Sequence, residues 1–285
     1  MRQSWPVYGW IGLVLVVVFW GLNWGLDGYR SHICFFPLWL GYCLTVDAAT
    51  GMRKGTSLLS RSPTGFISLF VVSAPAWWLF ETINLRTGNW EYLGSDHFGA
   101  LGYFLFSTLD FSTVIPAVFG TAELAGTFGW IQRCRRGFAV ASSPKTLKVF
   151  LVSGIIIFAL TMAWPGYFYP FVWLSLYFCI EPVNIRLRTG SLINSVSRGD
   201  WRPVLALWTG VMICGFFWEM WNYYSYPKWI YHIPFVGYFR IFEMPLAGYL
   251  GYLPFSMELF ALYYFIARLT GVKPHLELIP DSDET

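Results

Sequence analysis

The sequence predicts an all-α fold: a polytopic membrane protein of about eight transmembrane helices arranged as two parallel four-helix repeats. Three observations lead there. The chain of 285 residues is 56% hydrophobic and 21% aromatic but only 12% charged, with a mean hydropathy of +0.50, far from the composition of soluble domains. Apolar runs approaching the roughly 20 residues that cross a bilayer centre on Leu15, Leu40, Val72, Phe106, Ile156, Leu174, Met212 and Leu259. If Arg2 is cytoplasmic and every run crosses, all 19 basic residues except Arg30, Arg86, Lys228 and Arg240 fall on the inner side. The positive-inside rule then places both termini in the cytoplasm of an integral cell-membrane protein.

The first run, Ile11 to Trp20, is followed by Gly21-Leu-Asn-Trp-Gly25, without a small-residue cleavage pattern, and reads as a retained helix. The second and sixth runs close on acids, Asp47 and Glu181. Each is followed by arginine or lysine within a turn or two, which suits an interfacial ion pair or helix-end anchor. The third and seventh runs carry the most informative pattern. Trp78-Leu-Phe-Glu81-Thr-Ile-Asn84 is followed by Trp90-Glu-Tyr92, and Trp218-Glu219-Met-Trp221-Asn222 by Trp229-Ile-Tyr231. Glu and Asn three apart share one helical face, and their recurrence with a Trp-x-Tyr beyond marks a duplicated polar site. The fourth and eighth runs hold Asp110 and Glu258 near the predicted midplane. Carboxyls at that depth are functional candidates by default.

Sliding one half over the other brings Trp39 onto Trp173, Asp47 onto Glu181, Ser57-Leu58 onto Ser191-Leu192, and, with insertions, Glu81 and Asn84 onto Glu219 and Asn222. Asp110 then falls on Glu258. The repeats are expected at 1–131 and 149–272, with a basic cytoplasmic linker at 132–148 and a disordered acidic tail at 273–285. An even number of spans per repeat keeps both in the same orientation. Between Tyr231 and Pro245 the second half carries an extra segment, broken by prolines and containing Glu243, that reads as re-entrant or interfacial.

Charge and motif content narrow the function classes. A net charge of +3 is absorbed by the loop asymmetry, so no nucleic-acid surface is expected. No phosphate-cradling glycine loop, nucleotide fingerprint or paired cysteine spacing occurs, and His97 and His232 do not align, so neither cofactor nor metal is expected. The acids sit among aromatic residues whose faces stabilise cations. Trp218, Trp221, Trp229 and Tyr231 surround the second site; Trp78 and Trp90 surround the first. A carboxyl among such walls is suited to donating a proton, and a neighbour to taking one back.

These residues resemble the integral-membrane lycopene cyclase domain of bacterial, archaeal and fungal carotenoid synthesis. That family has a Trp-Asp-Asn at a helix end, a Trp-x-Tyr soon after, and a Pro-x-Glu-Glu followed by aromatics. Here Trp218-Glu-Met-Trp-Asn222, Trp229-Ile-Tyr231 and Pro254-Phe-Ser-Met-Glu258-Leu-Phe260 stand in those places. The acid and Asn are three apart rather than adjacent, and a single Glu replaces the pair. The resemblance implies two related membrane units and redox-neutral, proton-initiated cyclisation or isomerisation of a polyisoprenoid. It implies roles for Glu219, Asn222 and Glu258, with Glu81, Asn84 and Asp110 as first-half counterparts; Glu243 is a further candidate from its sequence setting alone. Two other expectations stand beside this one: a proton-coupled or small-solute transporter using the paired carboxylates, and a scaffold in which Glu and Asn only lock helices together.

Overall fold

The computed structural model describes residues 4–280. Its principal helices are α1 (Val7–Gly25), α2 (Ser31–Lys54), α3 (Pro63–Thr87), α4 (Ala100–Phe111), α5 (Val114–Gly126), α6 (Pro144–Ala163), α7 (Val172–Arg186), α8 (Arg202–Tyr223) and α9 (Tyr252–Thr270). Two short antiparallel sheets complete it: β1 (Trp90–Leu93) with β2 (Lys228–Tyr231), and β3 (Arg240–Ile241) with β4 (Met244–Pro245). Among the described residues, seven helical segments are long and apolar enough to cross a membrane, with α4 and α5 counting as one and α9 taking in the turn before it. The chain is an all-α, multi-pass membrane protein.

The passage expected around Leu174 is shorter than the others. Pro165 and Pro170 break the apolar run into a short helix, a 3-10 turn and then α7 of 15 residues, about 22 Å at 1.5 Å per residue. Its ends nevertheless lie at opposite ends of the bundle. Ala163, just before it, accepts from Arg86 at the end of α3 that leads into β1. Gly199 and Trp201, just after it, bond to Gly137 and Phe138 at the other end.

The element order of helix, helix, short capped helix, helix and strand occurs twice, the second time with the short helix and 3-10 turn of 165–171 between its first two helices. In each copy the acid closing the second helix anchors the short helix after it. Asp47 accepts from Ser57 Oγ at 2.7 Å and Leu59 N at 3.0 Å, and Glu181 from Ser191 Oγ at 2.6 Å and Ile193 N at 2.9 Å. Of the two expectations the helix-end anchor is the one seen, since neither acid forms an ion pair among the described residues; Ser57 and Ser191 are also the N-caps of those short helices.

The fourth span is broken at Ser112 and Thr113. Pro116 has no N–H for the Ser112 carbonyl, and the freed groups are met by Ser73 from α3, which donates to Phe111 O at 2.6 Å and accepts from Ile115 N at 3.1 Å. The break leaves Asp110 at the end of a half-length helix.

The end opposite the β1–β2 sheet holds a buried ionic cluster. Glu123 on α5 is fully buried and pairs with Arg61 and, at 3.2 Å, with Lys54. Residues 273–280, expected as part of a disordered tail, are packed against this cluster. Arg61 Nη2 donates to His275 O at 2.8 Å, Glu277 N to Glu123 Oε1 at 2.7 Å, and Leu278 is buried. The apolar-acidic alternation Leu276-Glu277-Leu278 supplies both core and ion-pair contacts. The remainder of that tail, 281–285, lies outside the described residues, as does Arg2.

Candidate active site

The repeated Glu-x-x-Asn resolves into two separate devices. The asparagines hold the strands. Gly88, at φ +60°, ends α3 in the left-handed conformation, and the chain doubles back so that Asn84 Nδ2 donates to Trp90 O at 2.7 Å while its Oδ1 accepts from Asn89 N at 2.9 Å and Trp90 N at 3.3 Å. Asn222 does the same with one residue, donating to Trp229 O at 2.7 Å and accepting from Trp229 N at 3.0 Å. With both ends of the amide so engaged, the asparagines position the Trp-x-Tyr strands.

The glutamates receive those strands' side chains. Glu81 Oε1 accepts from Trp77 Nε1 at 2.9 Å, Trp90 Nε1 at 3.0 Å and Tyr92 OH at 2.6 Å. Glu219 Oε1 accepts from Tyr231 OH at 2.7 Å and Tyr252 OH at 2.8 Å, and Trp229 Nε1 donates to Tyr231 OH at 2.9 Å. The clusters differ in burial and in their phenols, of which Glu219 accepts from two and Glu81 from one. Glu219 is fully buried, and its Oε2 has no hydrogen-bond partner among the described residues. Burial, reinforced by the adjacent carboxylate, holds the Tyr92 and Tyr231 phenols well above the usual range, so each stays protonated as a donor.

Both clusters border one cavity of about 200 Å³ beneath the β1–β2 sheet. Tyr92 with Trp77 and Trp90 line it from the first half; Tyr231, Trp229 and Tyr252 from the second. Glu81 and Glu219 lie behind their phenols and do not themselves line it. Trp218 does, packed beside Trp39 and Tyr252. Phe255 and Trp173 contribute further rings in contact with one another, 5.2 Å between centroids. The lining is therefore mainly aromatic, with hydroxyls at fixed points.

The remaining candidates fall in different places. Asp110 lines the cavity, and its Oδ1 is enclosed without a partner among the described residues. Glu258, one turn beyond Phe255, is fully buried with neither oxygen bonded to any described residue, and does not line the cavity. Glu243 pairs with Lys228, a cavity-lining residue, so it sits at the margin of the site rather than inside. Trp78 donates to Thr108 Oγ1 at 3.0 Å and stacks on Phe104, and Trp221 is wedged against Trp20, Trp39 and Phe217; neither lines the cavity.

Sequence reasoning missed Tyr252, Trp77 and His32, the last of which lines the cavity from α2. Tyr252 falls opposite Phe104 when Asp110 is laid on Glu258, so the repeat itself hid it. Trp77 carries a usable signal, standing four residues before Glu81 on the same helical face.

No protein-family model, curated protein or solved structure matches the chain.

Proposed function

We propose that the protein is a membrane enzyme that isomerises or cyclises a polyisoprenoid by proton transfer. The observation that carries this reading is the single aromatic cavity onto which carboxylate-backed phenols from both halves face. A proton passing between Glu219 and a cavity ligand travels through Tyr231 or Tyr252, whose hydroxyls stand between the two. Delivered to a terminal double bond, it leaves a tertiary carbocation; attack by a neighbouring double bond forms the ring carbon–carbon bond, and loss of an adjacent C–H proton restores neutrality. Atoms and electrons balance without a redox partner. The rings of Trp90, Trp218 and Trp229 stabilise the cation through their faces and keep water from quenching it. Glu81, behind Tyr92, is suited to taking the second proton.

The basic residues at the end opposite the sheet support an orientation with both chain ends in the cytoplasm and the sheet towards the outside.

Expression in a bacterial host that accumulates an acyclic polyene tests the reading. A product of unchanged mass, with the absorption of a shortened or ring-closed chromophore, is expected. An unaltered isoprenoid pool, together with proton-driven solute uptake by vesicles holding the purified protein, would replace the enzyme with a carrier.

A further inference from the structure

One side of the cavity is polar in a way the proton chemistry does not use. Tyr103, Phe106, Ser107 and Asp110 lie on one face of α4 and line the cavity, and His32 joins them from the adjacent α2. The His32 ring packs edge-on against Phe98 at 5.0 Å and Phe106 at 4.9 Å between centroids, and Asp110 follows Phe106 by one helical turn. Both His32 Nδ1 and Asp110 Oδ1 are closed off from solvent with no hydrogen-bond partner among the described residues. Glu81 and Glu219 differ in that one carboxylate oxygen of each is held by two or more donors, although Glu219 Oε2 also lacks a partner among the described residues, and neither acid lines the cavity. Glu258 also lacks partners, but it does not face the cavity.

Both side chains are partly buried and neither makes a side-chain hydrogen bond among the described residues, so each presents polar atoms that a hydrocarbon, with neither donor nor acceptor, would leave stranded. A hydroxyl offers both. We infer that the cavity's ligand is an isoprenoid alcohol, its chain lying among the tryptophans and its terminal hydroxyl held by His32 and Asp110. The inference rests on the proposal that the cavity holds an isoprenoid, and it assigns Asp110 to binding while proton transfer stays with Glu219. A site built to bond a hydroxyl discriminates strongly against the analogue lacking it, because its own polar groups are then stranded.

Binding, not turnover, tests this. The full chain in lipid nanodiscs is titrated with geranylgeraniol and with the hydrocarbon of the same chain and double bonds that lacks the oxygen, read by quenching of tryptophan fluorescence. The alcohol is expected to bind at least about tenfold more tightly. In the double variant His32→Phe with Asp110→Leu, the preference is expected to shrink to less than about twofold, through weaker binding of the alcohol. Equal affinity for the two ligands, binding of neither, or a preference that survives the double substitution would overturn the inference. If the variant does not fold, the comparison in the unmodified protein still decides. A protein that prefers the alcohol yet isomerises neither chain would sink the enzyme reading and leave this one standing.

Discussion

Trp90 lies opposite Tyr231 in the antiparallel sheet, and Tyr92 lies opposite Trp229, so the two copies of one motif pair with each other. This reciprocal pairing brings aromatic residues of both halves over one cavity. A disulfide tests it. With Cys at Glu91 and Ile230, which face each other between those pairs, mild oxidation is expected to join the halves. After proteolysis within 132–148, the fragments should migrate together on a non-reducing gel and separate on reduction.

The asparagine clasps predict a loss of stability in the first place. Asn222→Ala strands the Trp229 N–H and carbonyl and is expected to cost about 1–3 kcal/mol, and Asn84→Ala a similar amount. Thermal unfolding in detergent measures both. An unchanged midpoint would show that the clasp does not hold the strand.

Glu123 predicts a non-additive pair. Arg61→Met removes one of its cationic partners from a fully buried acid and is expected to cost on the order of 3 kcal/mol. Adding Glu123→Met in the same chain should recover a large part of that loss, since no unpaired charge then remains inside. A double-mutant cycle on unfolding midpoints gives the coupling, and simple additivity would contradict the pairing.

Much of the fold was legible because it is written locally. Apolar run length, the Glu-x-x-Asn spacing and the Trp-x-Tyr tail are all read within one or two helical turns, and the Ser57 and Ser191 anchors lie within 12 residues of their acids. What escaped depends on contacts distant in sequence. Glu123 meets Lys54, Arg61 and Glu277, none of them near it in the chain, so nothing local distinguished it from an ordinary helix-end acid. Whether Asn84 and Asn222 touch ligand or backbone was likewise invisible, since the answer lies in how the chain turns after Gly88 and Ser225. The cavity sorted residues that looked equivalent: Trp90 and Trp218 line it, while Trp78 and Trp221 lie outside it.

Tyr252 gives Glu219 a second phenol donor, where Glu81 has Tyr92 alone. Tyr252→Phe leaves Glu219 with Tyr231 as its one remaining donor and is expected to lower turnover by about 100-fold, in the range of a lost proton-transfer group. Tyr92→Phe tests the other wall. If both substitutions leave turnover within about twofold of the unmodified protein, the phenols are structural and carry no proton.

The proton itself provides the most direct measurement. Cells expressing the chain with an isoprenoid substrate are transferred to heavy water, and the product is analysed by mass spectrometry and NMR. The account predicts an isomer carrying one deuterium for each ring or shifted bond, bound to the carbon that received the proton, and no such product from Glu219→Gln. Product without deuterium at that carbon, or full activity in Glu219→Gln, would contradict it.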